Sequence, residues 1–298
     1  KDGKVQVTVT PEKGKALDKL TYTPDGGTPV EVDETFKMPG SPITISATFK
    51  TKQLKGEIIA ADGTKYTNDN AGSLANLFYD TDDRPFEKLR DEAGKLDLLK
   101  VAKIRITGGY FAKSDWNWLK VNNANFAKLN SFTIDATTDQ VDDIADDNDY
   151  DGYFFKGDHG ALEELELHKL KNIGKAAFTN CTKLRKVSAP DAESVGESAF
   201  DTNNMLVEVN LPKVKHLGKA SFNNCRMLKT LEFPQLESLT GGQAYDPANP
   251  VTNSTFLDCR SLRSVDLGNV KYIPTETFGK CISLQEVKAT AVEVVGDK

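Results

Sequence analysis

The 298-residue chain is short of the residues that reactive or specialised sites require, with four cysteines, three histidines, two tryptophans and three methionines. Four cysteines with no C-x-x-C pair exclude a disulfide scaffold and a zinc ribbon. The histidines, His159, His168 and His216, are scattered and read as structural or surface residues. No H-E-x-x-H, G-x-S-x-G or P-loop is present. No stretch approaches the roughly 18 consecutive apolar residues of a membrane-spanning helix. Positive charge is also in deficit, 38 Lys and Arg against 44 Asp and Glu for a net charge of −6, whereas nucleic-acid binding needs a concentrated basic surface. The chain starts at Lys1 rather than Met, as it would after removal of an export signal or a tag, whose identity cannot be read from what remains.

What the chain does have is periodicity. Residues 1–52 read as a small all-β domain: residues 5–10 and 43–49 alternate apolar and polar side chains, and Gly26-Gly27 marks a tight turn. From residue 53 another register takes over, with 53–100 as a cap region and 101–298 as about eight repeats. The pattern L-x-x-L-x-L, other apolar residues allowed, begins at Val101, Leu129, Leu162, Leu184, Leu206, Leu228, Leu262 and Leu284. A second landmark follows at Phe178, Phe200, Phe222, Phe256 and Phe278, each with Cys181, Asn203, Cys225, Cys259 or Cys281 three residues later. The phenylalanine spacings are 22, 22, 34 and 22, so a single insertion of 12 (34 against 22) interrupts a 22-residue period.

That period suits units of one short strand and a turn or 3-10 segment, stacked on their neighbours. One unit cannot bury its apolar face alone, so stacking makes the core continuous. Each inward Leu, Val or Phe then contributes roughly 1.5–3 kcal/mol. The fold class is therefore mainly β with short helical or 3-10 turns. The residue between the last two apolar positions should face outward, giving the column Arg105, Thr133, Glu166, Ser188, Asn210, Glu232, Asp266 and Lys288. It has no aromatic member, so it is not a sugar-stacking platform. The cysteine slot should face inward, its free thiols acting as small hydrophobes. Asn203 in the same slot argues against a metal. Gly174-Lys175 and Gly218-Lys219 begin turns and are repeat punctuation rather than phosphate loops.

Two departures from the period attract functional interest. Residues 146–153 and 240–251 both enter before a phenylalanine, Phe155 or Phe256, so repeat logic brings both out on one edge. They offer Tyr150, Tyr153, Tyr245 and Asp246 as candidate binding residues. Within the first, Asp147-Asn148-Asp149-Tyr150-Asp151-Gly152 matches the start of a calcium loop, with Asp147, Asp149 and Asp151 as ligands and Asp158 at position 12. An aspartate reaches the ion less well than the usual Glu there, so such a Ca2+ site would be weak. The simpler reading is a solvated acidic insertion, and no other cofactor is expected. Trp116 and Trp118 read as anchors of the first-repeat cap.

Two segments resemble known families. Residues 36–49, ending in Ile43-Thr44-Ile45-Ser46-Ala47-Thr48-Phe49, resemble the close of the divergent B-repeat modules of bacterial surface proteins, which usually act as spacers. Units such as Leu206-Val-Glu-Val-Asn-Leu-Pro212 with Val214-Lys-His-Leu-Gly218 and Ala220-Ser-Phe-Asn-Asn-Cys225 resemble the BspA-type leucine-rich repeat. Ala71-Gly72-Ser73-Leu74-Ala75-Asn76-Leu77-Phe78 and Asp115-Trp-Asn-Trp-Leu119 are similar to that family's amino-terminal cap. The resemblance implies a right-handed leucine-rich repeat solenoid in a secreted or surface-anchored protein of gut or oral bacteria. It implies adhesion to host matrix or cell-surface proteins and no chemistry. A glycan-binding accessory protein is the alternative, and a hydrolase would need a carboxylate pair that the sequence does not single out. The last unit stops at Val295-Gly296 without the phenylalanine and cysteine or an obvious cap, an end expected to be ragged, paired with a partner or covered.

Overall fold

The computed structural model describes residues 4–7, 15–32, 35–37, 39–51, 53–144, 161–243, 246, 248 and 251–296. The chain forms two compact units, Lys1–Gln53 and Leu54–Lys298.

In the first unit, strand Lys15–Pro24 pairs antiparallel with Val30–Val32 on one side and Ile43–Thr51 on the other, while Lys4–Gln6 pairs with Thr35–Lys37. Its described core is small: Leu20 and Phe36 are buried, and Tyr22 stacks on Phe36 at 5.3 Å between ring centroids.

The second unit is a stack of repeats. Strands Val101–Gly108, Ser131–Ile134, Glu164–Leu167, Lys186–Ser188 and Glu208–Asn210 pair in parallel, and the hairpin of Lys55–Ala60 and Lys65–Asn68 adds antiparallel to the first. Thr230–Glu232, Ser264–Asp266 and Glu286–Lys288 form a separate parallel sheet. The strands are short because only two alternating positions per coil turn inward before the chain bends toward the phenylalanine, Val187 and Ala189 or Leu231 and Phe233. The outward column stacks as the period requires: Arg105, Thr133, Glu166, Ser188 and Asn210 are successive partners, as are Glu232, Asp266 and Lys288. Two-residue strands make further parallel ladders, Asn172–Ile173 with Ser194–Val195 with His216–Leu217, and Tyr272–Ile273 with Val294–Val295.

The phenylalanines form a continuous inner stack. Successive centroids lie 5.6, 5.4, 6.1 and 5.5 Å apart from Phe178 to Phe278, with near-parallel rings. The backbone bends around each ring through left-handed residues. Asn180, Thr202, Asn224, Asp258 and Lys280 follow their phenylalanine by two positions with φ between 56° and 60°. Asn and Asp tolerate this conformation best among residues with a Cβ. The Gly-Lys turns have a packing reason: a Cβ on Gly218 would lie 2.6 Å from the Glu197 nitrogen of the preceding coil.

The cysteine slot does more than fill space. Sγ of Cys225, Cys259 and Cys281 lies 3.2, 3.1 and 3.0 Å from the carbonyl oxygens of Phe200, Phe222 and Phe256, each on the preceding coil. Asn203 donates Nδ2–H to the Phe178 oxygen at 3.0 Å. The slot therefore needs a small side chain with a donor, which is why Asn and Cys interchange. The small-hydrophobe expectation was incomplete because the phenylalanine carbonyl, buried between coils, requires a partner. Burial pushes the Cys181 thiol up to about 12 and Cys281 up to about 11, so these groups stay protonated at neutral pH. Asn203 is fully buried and its Oδ1 has no partner among the described residues. Asn203→Cys keeps the donor and removes that orphan acceptor, so it is expected to stabilise the protein by about 1 kcal/mol; a lower urea midpoint for the variant would contradict this.

The amino-terminal cap holds a shorter internal repeat. Segments Ala75–Phe78, Glu87–Leu89 and Leu98–Lys100 are 3-10 turns. Between them Asp80 Oδ1 accepts the Asp82 and Arg84 N–H groups at 2.9 and 3.0 Å, and Asp91 Oδ1 accepts those of Ala93 and Lys95 at 2.9 and 2.8 Å. Asp83 and Gly94 take the left-handed position of these two turns, at φ 56° and 78°. Helix Lys113–Asn122 completes the cap. Trp116 is buried on it and Trp118 stacks on Phe78 at 5.4 Å, so both act as the expected anchors.

Candidate recognition groove

A groove of about 760 Å³ lies over the ladder of two-residue strands. In each coil the apolar member of the pair, Ile173, Val195 or Leu217, turns inward and is buried. The residue before it, Asn172, Ser194 or His216, is left outside and lines the groove. Glycine follows each pair, and a Cβ on Gly196 or Gly218 would stand 2.7 or 2.6 Å from a backbone nitrogen of the preceding coil. At one end Asp143 Oδ1 accepts the Lys171 and Asn172 N–H groups, both at 2.9 Å, and its Oδ2 accepts from Asn172 Nδ2 at 2.6 Å. Ser194 Oγ then donates to Asn172 Oδ1 at 2.6 Å, so a polar chain crosses from coil to coil.

The other end is shaped by the 240–251 insertion. Gly241 and Gly242 turn with φ of 64° and 88°. Ser238 Oγ accepts the Thr240 and Gly242 N–H groups at 3.0 and 3.2 Å, and Gly241 N–H donates to the Leu217 oxygen at 2.9 Å. Gly242 lies over the His216 ring, where a Cβ would stand 3.7 Å from ring atoms. The insertion displaces a main-chain carbonyl that the repeat normally uses. Ala176 and Ser198 donate N–H to the Glu197 and Lys219 oxygens, both at 2.8 Å. In the next coil Ala220 N–H goes instead to the side-chain oxygen of Asn253 at 3.3 Å, which Thr255 Oγ1 also reaches at 2.8 Å. Asn253 is fully buried in the groove wall, so one side chain repairs what the insertion breaks.

Ion pairs at the repeat spacing cross the neighbouring coils: Lys171 and Lys215 flank Glu193 at 3.0 and 3.2 Å, and Lys213 meets Asp191 at 2.8 Å. The Lys213 hydrogen bond holds the Asp191 carboxyl below its usual range. Such exposed pairs fix coil register more than they stabilise, each being worth at most about 1 kcal/mol. Among the described groove residues no nucleophile contacts a base and no carboxylates pair. The arrangement offers donors, acceptors and a shallow floor, which suits binding.

Of the candidate residues, Asp246 is exposed and its Oδ1 accepts the Ala248 N–H at 2.9 Å, a turn of the insertion. Tyr150, Tyr153 and Tyr245, and the calcium candidates Asp147, Asp149, Asp151 and Asp158, lie outside the described residues. The described residues contain no group of three or more His, Cys, Asp or Glu that could hold a metal ion. Asp143 and Ile144, which immediately precede the first insertion, line the same groove as Thr240, Gly241, Gln243 and Val251 of the second. Asn172, Ser194 and His216 were missed as groove residues; their signal is the position before an apolar-glycine pair, repeated every 22 residues.

No curated protein sequence matches the chain. Among solved structures, a leucine-rich repeat protein of T. pallidum is 19% identical with a TM-score of 0.47, covering 71% of this chain and 85% of its own. A leucine-rich cell surface protein of Faecalibacterium prausnitzii is 18% identical with a TM-score of 0.35, covering 64% of this chain and 51% of its own. A leucine-rich repeat protein of Bacteroides ovatus is 16% identical with a TM-score of 0.32, covering 81% and 77%. Residues 150–246 and 249–297 match the BspA type leucine-rich repeat region in six copies, so this part of the chain is built of BspA-type leucine-rich repeats.

Proposed function

We propose that this chain is a non-catalytic, secreted or cell-surface protein that recognises another protein, with host matrix or cell-surface proteins as the partner class. The small first unit serves as a spacer, and the repeats present the binding edge. The observation that carries the reading is the convergence of the roots of both insertions on one groove, since long loops on a rigid scaffold are where recognition tends to sit. The described residues give the glycan reading no support: the outward column has no aromatic residue, Trp116 is buried and Trp118 half-buried.

The test is a binding screen of the full chain against purified extracellular-matrix proteins and glycans, repeated with residues 241–250 deleted. The expected result is a protein ligand whose affinity falls at least about tenfold on deletion. Undiminished binding to that ligand would remove the groove from the account, and binding to glycans alone would overturn the proposed partner class.

A further inference from the structure

The two repeat sheets stop short of each other. At the other junctions, strand starts are tied by Val207 N–H to the Arg185 oxygen, Arg263 N–H to Lys229 and Gln285 N–H to Arg263, at 2.9, 2.8 and 2.8 Å. Strand ends are tied by Ala189 N–H to Asn210, Phe233 N–H to Asp266 and Leu267 N–H to Lys288, at 3.0, 2.9 and 2.7 Å. Between Glu208–Asn210 and Thr230–Glu232 no ladder forms among the described residues. The equivalent pairs, Lys229 N–H with the Val207 oxygen and Leu211 N–H with the Glu232 oxygen, are not made there. The cause lies inside. The buried position held by Ala189, Leu211 and Leu267 in neighbouring coils is Phe233 here, its ring 6.0 Å from Phe222 and 6.2 Å from Phe256, and that inner pair is the most widely spaced of the stack at 6.1 Å.

Two facing strand edges are thus left with unmade main-chain bonds. Their surroundings are apolar, and basic at the strand starts, with Glu232 exposed at the far end of one edge. Met205, Val207 and Met227 are each 41% exposed, and Val209 is half-buried where its equivalents Val187, Leu231 and Val265 are buried. Arg185 and Lys229 take the place of Val207 on the neighbouring coils, both exposed and neither in an ion pair among the described residues. Glu208 on the same strand is already engaged by Lys186 at 3.1 Å. Open edges ordinarily invite an added strand, and Met and Arg are favoured at protein interfaces.

We propose that this seam docks an extended segment of another polypeptide as an added β-strand, with apolar side chains beside Met205, Val207 and Met227 and carboxylates toward Arg185 and Lys229. Main-chain bonds to the open edges supply affinity, and the flanking side chains supply selectivity.

The test uses the full chain and a fluorescein-labelled peptide of about nine alternating valine and glutamate residues, with two relatives: a lysine-for-glutamate version and one N-methylated at alternate amides. Anisotropy should give a Kd on the order of 10 µM for the acidic peptide, weakened at least about tenfold by N-methylation, by lysine replacement and by the double variant Arg185→Glu with Lys229→Glu. In hydrogen exchange the Leu211 and Lys229 amides should exchange faster than those of Ala189 and Arg263 in the free chain, and slow when the peptide binds. Absence of binding at about 1 mM would overturn the proposal. So would equal binding of the N-methylated peptide, which would reduce the attraction to charge, or Leu211 and Lys229 amides already protected in the free chain.

Discussion

Phe222→Ala is expected to lower the unfolding free energy by about 4 kcal/mol, near the top of the range for a large-to-small change in a core. Phe222 is fully buried and its ring meets three others, Phe200 at 5.4 Å, Phe233 at 6.0 Å and Phe256 at 6.1 Å. Alanine would leave a void that these rings cannot fill, because each is itself fixed by its coil. The position matters as much as the volume. In a stacked array, stability is approximately a sum of unit and nearest-neighbour terms, and Phe222 stands at the junction where the outer sheet is already interrupted. Coupling across that junction rests on the remaining contacts between the two coils, among them Phe222 N–H to the Thr255 oxygen at 2.9 Å, Asn224 N–H to Leu257 and Glu237 N–H to Lys215, both at 2.8 Å, the Cys259 thiol on the Phe222 oxygen at 3.1 Å, and Arg226 with Asp258 at 2.7 Å. Loss of the ring should therefore broaden the urea transition as well as shift it, the coils on either side melting more independently. Asn210→Ala, at an exposed position of the outward column, is the control and should stay within about 0.5 kcal/mol of the parent. A Phe222→Ala loss below about 1 kcal/mol would mean that the rings are not the continuous support described above.

The contrast between Phe222 and Phe233 shows what the sequence made legible. Phe222 recurs at the period, and a fixed period combined with an apolar side chain leaves one solution, an inward stack, so strand register and the outward column could be read before any coordinates. Phe233 also falls in register, but only its size sets it apart from Ala189, Leu211 and Leu267, and whether a larger side chain is absorbed or splits a sheet depends on packing on both sides. The groove was half legible. Repeat logic brought the insertions to one edge, yet its floor of Asn172, Ser194 and His216 carries no chemical signature, since polar residues outside a two-residue strand look like any solvated surface. Strand Lys15–Pro24 was missed because Leu20 alone among its described side chains is buried, too little to set up an alternating pattern. The two aspartate turns of the cap escaped because Pro85 and Leu96, or Phe86 and Asp97, stand at matching places; backbone N–H donation to Asp80 and Asp91, and not side-chain similarity, is what repeats.

Asp115→Ala should cost about 3 kcal/mol by a different route, since it removes no large volume. Asp115 is 3% exposed in the first turn of helix Lys113–Asn122. Its Oδ1 accepts the Leu74 N–H at 2.7 Å and its Oδ2 accepts the Ala112 N–H at 2.8 Å, so one carboxylate joins the helix start to the segment ahead of Ala75–Phe78. Alanine would strand both donors away from water, at about 1–3 kcal/mol for each unmet group, and the adjacent Trp116, whose Nε1–H reaches the Asp142 oxygen at 2.8 Å, would lose its fixed backbone. Asp115→Asn separates hydrogen bonding from charge, because the amide can accept one of the two N–H groups and must turn its own NH2 toward the other. Burial, opposed by the two backbone bonds and reinforced by the Asp142 charge, raises the Asp115 carboxyl above its usual range. A group whose folded pKa is raised contributes stability that is complete below its unfolded value, about 3.9, and is lost as pH climbs through the folded one. Asn does not titrate, so the deficit of Asp115→Asn against the parent should narrow between about pH 4 and pH 7 in urea melts. A deficit that widened over the same interval would mean that the ionised carboxylate is the favoured form at this site and that its two hydrogen bonds outweigh burial.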